Sequence, residues 1–307
     1  MFHNGERYVQ HHLDQADRAE HVGQSISNSI PRVAAAFLAD QPMIVVGATD
    51  GAGRMWASQI TGPPGFVTAT GEHTVEIDAR PVSGDPLAEV LDRAAKVGMI
   101  ALQPGTRRRM RVNGCAEPTA TGLRVTADQV YANCPKYIAK RELGGTGPGA
   151  PGAPKRGTEL DPAQRARVAE ADTFFVASAD TDDNVDASHR GGNPSFLRVL
   201  SPTELRWPDY AGNSMFMTLG NLWVNPTAGL LIPDWETGTS LQLSGTARLN
   251  WDPELAEGIP GAQCLIDFTV TDVVEIPGAS PLRWGAPELS RVNPPVASFS
   301  TNRAVTV

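Results

Sequence analysis

The chain carries one pattern twice, and that duplication limits its fold more than any other feature. Ala48-Thr49-Asp50 is followed by Ala57-Ser58, Gly62, Pro64 and Phe66; Ala179-Asp180-Thr181-Asp182 is followed by Ala187-Ser188, Gly192, Pro194 and Phe196. Ala57 and Ala187, Gly62 and Gly192, Pro64 and Pro194, and Phe66 and Phe196 all lie 130 positions apart. Further on, Gly98 answers Gly229 and Gly114 answers Gly245 at a spacing of 131, so one residue of slack accumulates across a copy. A repeat this long is a duplicated domain, not a solenoid, whose units run to about 20–50 residues. Two like domains can pack about a pseudo-twofold axis, as the protomers of a homodimer do, and leave a cleft where they meet.

Length agrees with this division. A chain of 307 residues suits about two domains of roughly 100–200 residues, and each copy is long enough to bury its own core. Hydrophobic residues make up 41% of the chain, yet the longest apolar runs, at 43–48, 174–177 and 230–232, are strand-sized and too short to span a bilayer. No basic segment followed by an apolar stretch opens the chain, so a cytoplasmic protein is expected. A net charge of −8 disfavours nucleic acid or an anionic membrane as partner, while a local arginine cluster can still hold a phosphorylated small ligand. Cys115, Cys134 and Cys264 are too few and too scattered for a disulfide framework and include no Cys-x-x-Cys pair; reduced thiols are expected, and no metal site.

Each copy opens on helix. Residues 6–22 are polar, with Tyr8, Val9, Leu13, Ala16 and Ala19 at loosely helical spacing. Ser29 and Pro31 read as the cap and first turn of a second helix with Val33, Phe37 and Leu38 on one face; Asp161 and Pro162 repeat the device before residues 163–171. A β region follows. Met43-Ile44-Val45-Val46, the turn Asp50-Gly51-Ala52-Gly53 and the return through Trp56-Ala57-Ser58 predict a hairpin, and residues 173–188 predict its counterpart. Further strands are expected at 74–77, 97–102, 109–112 and 123–130, answered by 204–207, 230–233, 240–243 and 265–276, with a crossing helix at 86–96 answered by 215–224. Short strands punctuated by Gly, Pro and Asp predict a small antiparallel barrel in each half. Residues 144–154 hold no apolar side chain larger than Pro or Ala and read as a linker, and the Ser/Thr/Pro-rich end from about Val292 reads as a tail. The expected division is 1–143 for a helical arm plus first barrel, 144–157 for the linker, and 158–307 for the second barrel plus tail.

Few motifs carry chemistry. Gly51-Ala52-Gly53 is followed by a strand and not by the helix that a dinucleotide fingerprint needs, so it is a hairpin turn. His3, His11, His12 and His21 crowd the start without a carboxylate or cysteine set to complete a ligand shell, which favours a solvated helix. Ser188 and His189 are neighbours whose side chains diverge on a strand, and no Gly-x-Ser-x-Gly elbow is present, so no hydrolytic triad is expected. What remains is a polar stretch. Ser188, His189 and Arg190 bring hydroxyl, imidazole and guanidinium donors together, and Gly191-Gly192 let a ligand approach the backbone. Pro208-Asp209-Tyr210 then leads to Asn213, Ser214, Thr218 and Asn221 where a helix begins, a seat for an anion, with Arg190 adding a charge-assisted bond. The same residues serve equally well as plain turn formers. Arg107, Arg108, Arg109 and Arg111 are the one dense basic cluster. On a strand Arg109 and Arg111 face one way and Arg108 the other, so one pair at most lines a cleft; a solvated edge that resists aggregation is the competing reading.

The residues also resemble a known family. Met1-Phe2-His3-Asn4-Gly5-Glu6, Trp56-Ala57-Ser58 with Gly62-Pro63-Pro64-Gly65-Phe66, Arg107 through Gly114, and Val130-Tyr131-Ala132-Asn133-Cys134-Pro135-Lys136-Tyr137-Ile138 carry the resemblance in the first copy. His189-Arg190-Gly191-Gly192, Gly212-Asn213, Leu219-Gly220-Asn221-Leu222 and Asn225-Pro226 carry it in the second. Linker and tail excepted, the chain is similar to the tandem-domain branch of the pyridoxamine 5'-phosphate oxidase-like, FMN-binding split-barrel proteins. The resemblance implies an α+β, mainly β chain of two tandem split β-barrels, six strands each, with FMN at a barrel–barrel interface. It places the phosphate and ribityl chain against Ser188 to Gly191 and Asn213 to Asn221. The chain departs from the pattern after Gly212-Asn213, where relatives commonly carry Arg and Ser214-Met215-Phe216-Met217 stand here, and at Cys115, where relatives tend to have Arg. Loss of a guanidinium beside a phosphate costs on the order of 1.5–3 kcal/mol, which Arg190 or Arg198 would have to offset. The first copy lacks Gly-Asn and Asn-Pro and the second lacks the Cys-Pro-Lys ending, so one flavin per chain is expected.

The expected function is therefore an FMN-dependent oxidoreductase with a small-molecule substrate, a reduced nicotinamide or other electron donor, and homodimerisation left open. The candidate cofactor residues are Ser188, His189, Arg190, Gly191, Asp209, Asn213, Ser214, Thr218, Asn221, Arg109 and Arg111, with no catalytic side chain assigned. Two readings compete: a non-catalytic flavin carrier or scaffold, and the same fold using deazaflavin F420 or haem.

Overall fold

The computed structural model describes residues 2–147 and 150–296; Met1, Pro148, Gly149 and residues 297–307, which include most of the expected tail, lie outside the described residues. The first half runs through α1 (Asn4–His12), α2 (Ala16–Gly23), α3 (Arg32–Ala39), β1 (Met43–Thr49), β2 (Met55–Thr61), β3 (Val67–Gly71), β4 (Thr74–Ile77), β5 (Ala95–Gln103), β6 (Arg108–Pro118) and β7 (Leu123–Ala132). After β8 (Leu143–Thr146) and β9 (Lys155–Gly157) the second half follows. Its elements are α4 (Pro162–Glu170), β10 (Thr173–Ala179), β11 (Val185–Gly191), β12 (Arg198–Ser201), β13 (Glu204–Tyr210), α5 (Met217–Val224), β14 (Thr227–Pro233), β15 (Ser240–Asn250), α6 (Pro253–Glu257), β16 (Ala262–Ile276) and β17 (Leu282–Trp284).

The duplication is visible in the sheets. One has the order β2-β1-β5-β6-β7-β4-β3 and the other β11-β10-β14-β15-β16-β13-β12, the same path strand for strand. Even the irregularities repeat. The register of β6 on β7 shifts between Asn113 and Gly114, and that of β15 on β16 between Ser244 and Gly245, 131 residues later. These are two tandem split β-barrels, mainly β with a few helices. Short edge strands β3 and β12 extend each sheet to seven along this path, one more than the six expected.

Each barrel closes on its own apolar core. Trp56, Phe66, Val75, Leu87, Met99 and Val125 belong to the first, and Phe174, Phe196, Trp207, Leu230 and Phe268 to the second. A third cluster lies between the barrels, where Val45, Met55 and Ile100 meet Phe175, Ala177 and Leu231. The backbones approach closely there. A Cβ on Gly98 would fall 2.5 Å from Asp186 Cα, and one on Gly229 would fall 2.7 Å from Trp56 Cα, the pseudo-twofold mate of the same contact.

Several elements differ from expectation for local reasons. Residues 86–96 form no α-helix, only turns and one 3-10 turn at Val90–Asp92 before β5 begins at Ala95. Buried Asp85 accepts from Leu87 N at 2.8 Å and from Ser58 Oγ at 2.5 Å, which pins the segment so that Leu87 and Leu91 drop into the first core. The long helix expected at 6–22 breaks into α1 and α2 at Asp14, whose φ of +52° is left-handed. The helix expected to be capped at Ser29 begins later, with Pro31 as its N-cap, because the Ser29 hydroxyl is 3.0 Å from that of Ser27. The ends of the linker are ordered strands: β8 pairs with β17, and β9 pairs with β16. Both are exposed, Leu143 at the start of β8 included.

The amino-terminal arm crosses over. Val9 of α1 joins the second core, Gln10 Nε2 donates to Met215 O at 3.0 Å, and Ser214 Oγ is 2.6 Å from Gln15 Oε1. Among the described residues no helix is long and apolar enough to cross a membrane.

Candidate functional site: a basic cavity at the barrel seam

Strand alternation decides which arginines reach the seam. On β6, Arg108 points outward, its guanidinium 4.9 Å from the Phe37 ring centre, while Arg109 and Arg111 point across to β11 of the other barrel. Arg107 turns away to Glu288 at 2.9 Å. The cluster is thus split three ways, and its central pair lines the cleft.

Arg111 is buried and held by the second barrel. Its Nη1 donates to both carboxylate oxygens of Asp186, at 2.9 and 2.7 Å, and Nη2 donates to Ser188 Oγ at 2.6 Å. Tyr131 Oη donates to the same carboxylate at 3.0 Å, and Asn113 Nδ2 at 3.2 Å. Asp186 is therefore the hub of the seam. Sequence reasoning did not single it out; the available signal was an acidic residue at the position filled by Trp56 in the first copy.

Arg109 has a different environment. Nη1 lies 2.9 Å from His189 Nδ1 and 3.4 Å from His189 O, and among the described residues no carboxylate pairs with it. Burial, then repulsion by Arg111 and Arg190, lowers its pKa to about 9. His189 is held neutral, because burial and then Arg109 push its pKa well below the usual range. An imidazole accepting at Nδ1 carries its proton on Nε2. Arg190 Nη1 reaches Asp209 Oδ1 at 2.7 Å, and that carboxyl is pushed up by burial and drawn back by Arg190.

These groups enclose a cavity of about 80 Å³, lined by Arg109, Arg111, Lys136, Ser188, His189, Arg190 and the Asn213 loop among others. Buried atoms without partners concentrate around it. Arg109 Nε, Arg111 Nε, Arg190 Nε and His189 Nε2 are donors with nothing to donate to; Asn133 Oδ1 is an unmatched acceptor. Three guanidiniums, an ammonium and four unpartnered N–H groups give this space a strongly cationic, donor-rich lining.

Not every expected residue arrives there. Ser188, His189, Arg190, Gly191, Asn213, Arg109 and Arg111 converge on the cavity, with Asp209 behind Arg190. Ser214 is taken by Gln15, Thr218 Oγ1 lies 3.5 Å from Asp186, and Asn221 bonds His3 and Ser178. The start of α5 has no side-chain cap, and its N-cap, Phe216, adopts a left-handed φ of +58°. Arg198 does not line the cavity.

The pseudo-equivalent seam is built differently. Gln242 stands 131 residues after Arg111, and Ser58 stands 130 before Ser188. Gln242 Nε2 donates to Ser58 Oγ at 2.9 Å, to Ala57 O at 3.0 Å and to Asp85 Oδ2 at 3.1 Å. Burial raises the Asp85 pKa to about 6. One seam is cationic; its mate is a neutral-to-acidic plug.

Two split barrels of one topology, joined at a seam lined by three arginines, define a tandem split-barrel protein. Residues 160–273, the second barrel, match the family described as pyridoxamine 5'-phosphate oxidase. The match covers the second barrel and does not extend to the first. No curated protein matches the chain in sequence. Solved structures similar to it include HupZ from Group A Streptococcus, at 13% identity and TM-score 0.32, covering 41% of this chain and 99% of that one. HutZ, the haem storage protein from Vibrio cholerae, matches at 15% identity and TM-score 0.28, covering 38% and 95%. A protein from Clostridium acetobutylicum related to general stress protein 26 of the pyridoxinephosphate oxidase family matches at 13% identity and TM-score 0.27, covering 34% and 78%.

Proposed function

We propose that the chain is a flavin-dependent oxidoreductase of this family that holds the phosphate of FMN in the basic seam cavity. The observation that carries the reading is Arg109, a half-buried residue with a buried, unpartnered Nε and no carboxylate partner among the described residues, beside three further unpartnered donors on Arg111, Arg190 and His189. An oxyanion supplies the missing acceptors and relieves the mutual repulsion of Arg109, Arg111 and Arg190. At about 80 Å³ the cavity suits a phosphate group, while whole ligands fill pockets of roughly 300–1,000 Å³. FMN, when bound, supplies hydride acceptance and donation. The protein's part is to bind and orient. Arg109 and His189 Nε2 would donate to the phosphate, Arg190 is kept in place by Asp209, and the Arg111–Asp186 pair fixes β6 against β11.

The test is a titration of flavin-free chain with FMN and with riboflavin, which lacks the phosphate. FMN is expected to bind much more tightly than riboflavin, and Arg109→Met to weaken FMN about tenfold or more while leaving riboflavin unchanged. Arg54→Ala, at an exposed first-barrel ion pair, serves as control and changes neither. Equal binding of the two flavins, or a chain that takes up haem or deazaflavin F420 in preference to FMN, would sink the reading.

A further inference from the structure

A second, larger recess lies on the far side of β6. It has a volume of about 710 Å³ and runs between the α2–α3 segment and the ends of β6 and β7. Its surface is mostly apolar, with Val33, Phe37, Met110, Val130 and Pro135 among the contributors. Val33 is 68% exposed, although it opens a helix whose other face is buried, so its side chain stands in the recess without cover among the described residues. The charge is one-sided. Arg107, Arg108 and Arg109 reach the lining and no Asp or Glu does, in a chain of net charge −8. Arg107 is committed to Glu288 and Arg109 to His189. Arg108 rests on the Phe37 ring and has no carboxylate partner among the described residues. Arg109 and Asn133 also line the seam cavity, so the two spaces adjoin through these side chains.

We infer that this groove binds the protein's small-molecule substrate, and that the substrate has an apolar body and a single acidic group paired with Arg108. The volume falls in the range of sites that enclose a drug-sized ligand, roughly 300–1,000 Å³. An apolar body displaces water from Phe37, Met110 and Val130, and the guanidinium, already desolvated on one face by an aromatic ring, gains a charge-assisted bond at little further cost. A cationic ligand would meet three arginines and no counter-charge. The assignment as substrate rests on the flavin reading; the groove's preference for an apolar anion does not.

Two probes separate these statements: 8-anilinonaphthalene-1-sulfonate, an apolar aromatic anion, and N-phenyl-1-naphthylamine, its uncharged counterpart. The flavin-free full chain is expected to bind the sulfonate saturably with one site, and the uncharged probe more weakly. Arg108→Glu should weaken the sulfonate about tenfold or more and leave the uncharged probe unaffected. Val33→Glu, an acid in a first helical turn where it suits the helix dipole, should weaken both. FMN binding should be unchanged in both variants, and sulfonate binding should persist at saturating FMN. Absence of a saturable site, indifference of the sulfonate to Arg108→Glu, or displacement of the probe by FMN would each overturn the inference. If FMN fails to bind while the probe pattern holds, the flavin reading falls and the anion groove stands.

Discussion

Glu6 is the most perturbed carboxyl in the arm. Burial raises its pKa to about 8, against the opposing hydrogen bond from His3 N at 2.8 Å, and the charges of Asp186 and Asp180 push the same way. In the unfolded chain it titrates near 4.5. Below pH 4.5 both states hold the proton and nothing is lost. Between 4.5 and 8 only the folded state keeps it, so stability falls as pH rises, and above 8 the loss is complete. Glu6→Gln should therefore be near-neutral at pH 4.5 and stabilise by on the order of 1–3 kcal/mol at pH 8.5, read by urea unfolding at both pH values. An equal effect at both would mean that the carboxyl does not titrate in the fold. The Arg111–Asp186 pair gives the opposite kind of prediction. Arg111→Met strands a buried carboxylate and should cost about 3–5 kcal/mol, whereas Arg111→Met with Asp186→Asn should recover much of that, as a double-mutant denaturation cycle would show. At this scale the sequence was informative about Arg109 and Arg111, since alternation along a strand needs only the strand. It was silent on Asp186 and Glu6, whose environments come from elements far off in the chain.

Among elements, those governed by local chemistry were legible and those governed by tertiary anchors were not. The hairpin β1–β2 follows from Asp50-Gly51-Ala52-Gly53, and α4 from a capping box between Asp161 and Gln164. Segment 86–96 has helical composition and still fails to form a helix, because Asp85 is claimed by Ser58 and Gln242 in different strands. The docking of α1 on α5 was equally hidden. A Cβ on Gly220 would strike the Glu6 backbone nitrogen at 2.5 Å. Gly220→Ala should therefore unseat the arm while both sheets survive. The expected signature is faster proteolysis near residues 13–15 with an unchanged β-type circular dichroism spectrum; unaltered proteolysis would show that the arm is not held by this contact.

For the whole molecule, the repeat was readable because 130-residue spacings survive drift in individual side chains. The contrast between the two seams was less so, since it rests on the pairing of Gln242 with Ser58 and Asp85. From that contrast, calorimetric titration with FMN should return one site per chain; two equivalent sites would contradict the seam asymmetry. The shared cluster of Val45, Met55, Ile100, Phe175 and Leu231 couples the barrels, so thermal unfolding should be a single transition with matching calorimetric and van't Hoff enthalpies.

Both walls of the cationic seam come from one polypeptide, Arg109 and Arg111 from one copy and Asp186 through Arg190 from the other. A site shared between separate protomers falls apart on dilution, whereas a tether keeps the effective concentration of the second wall high. Ligand affinity measured at nanomolar protein should therefore equal that measured at micromolar protein.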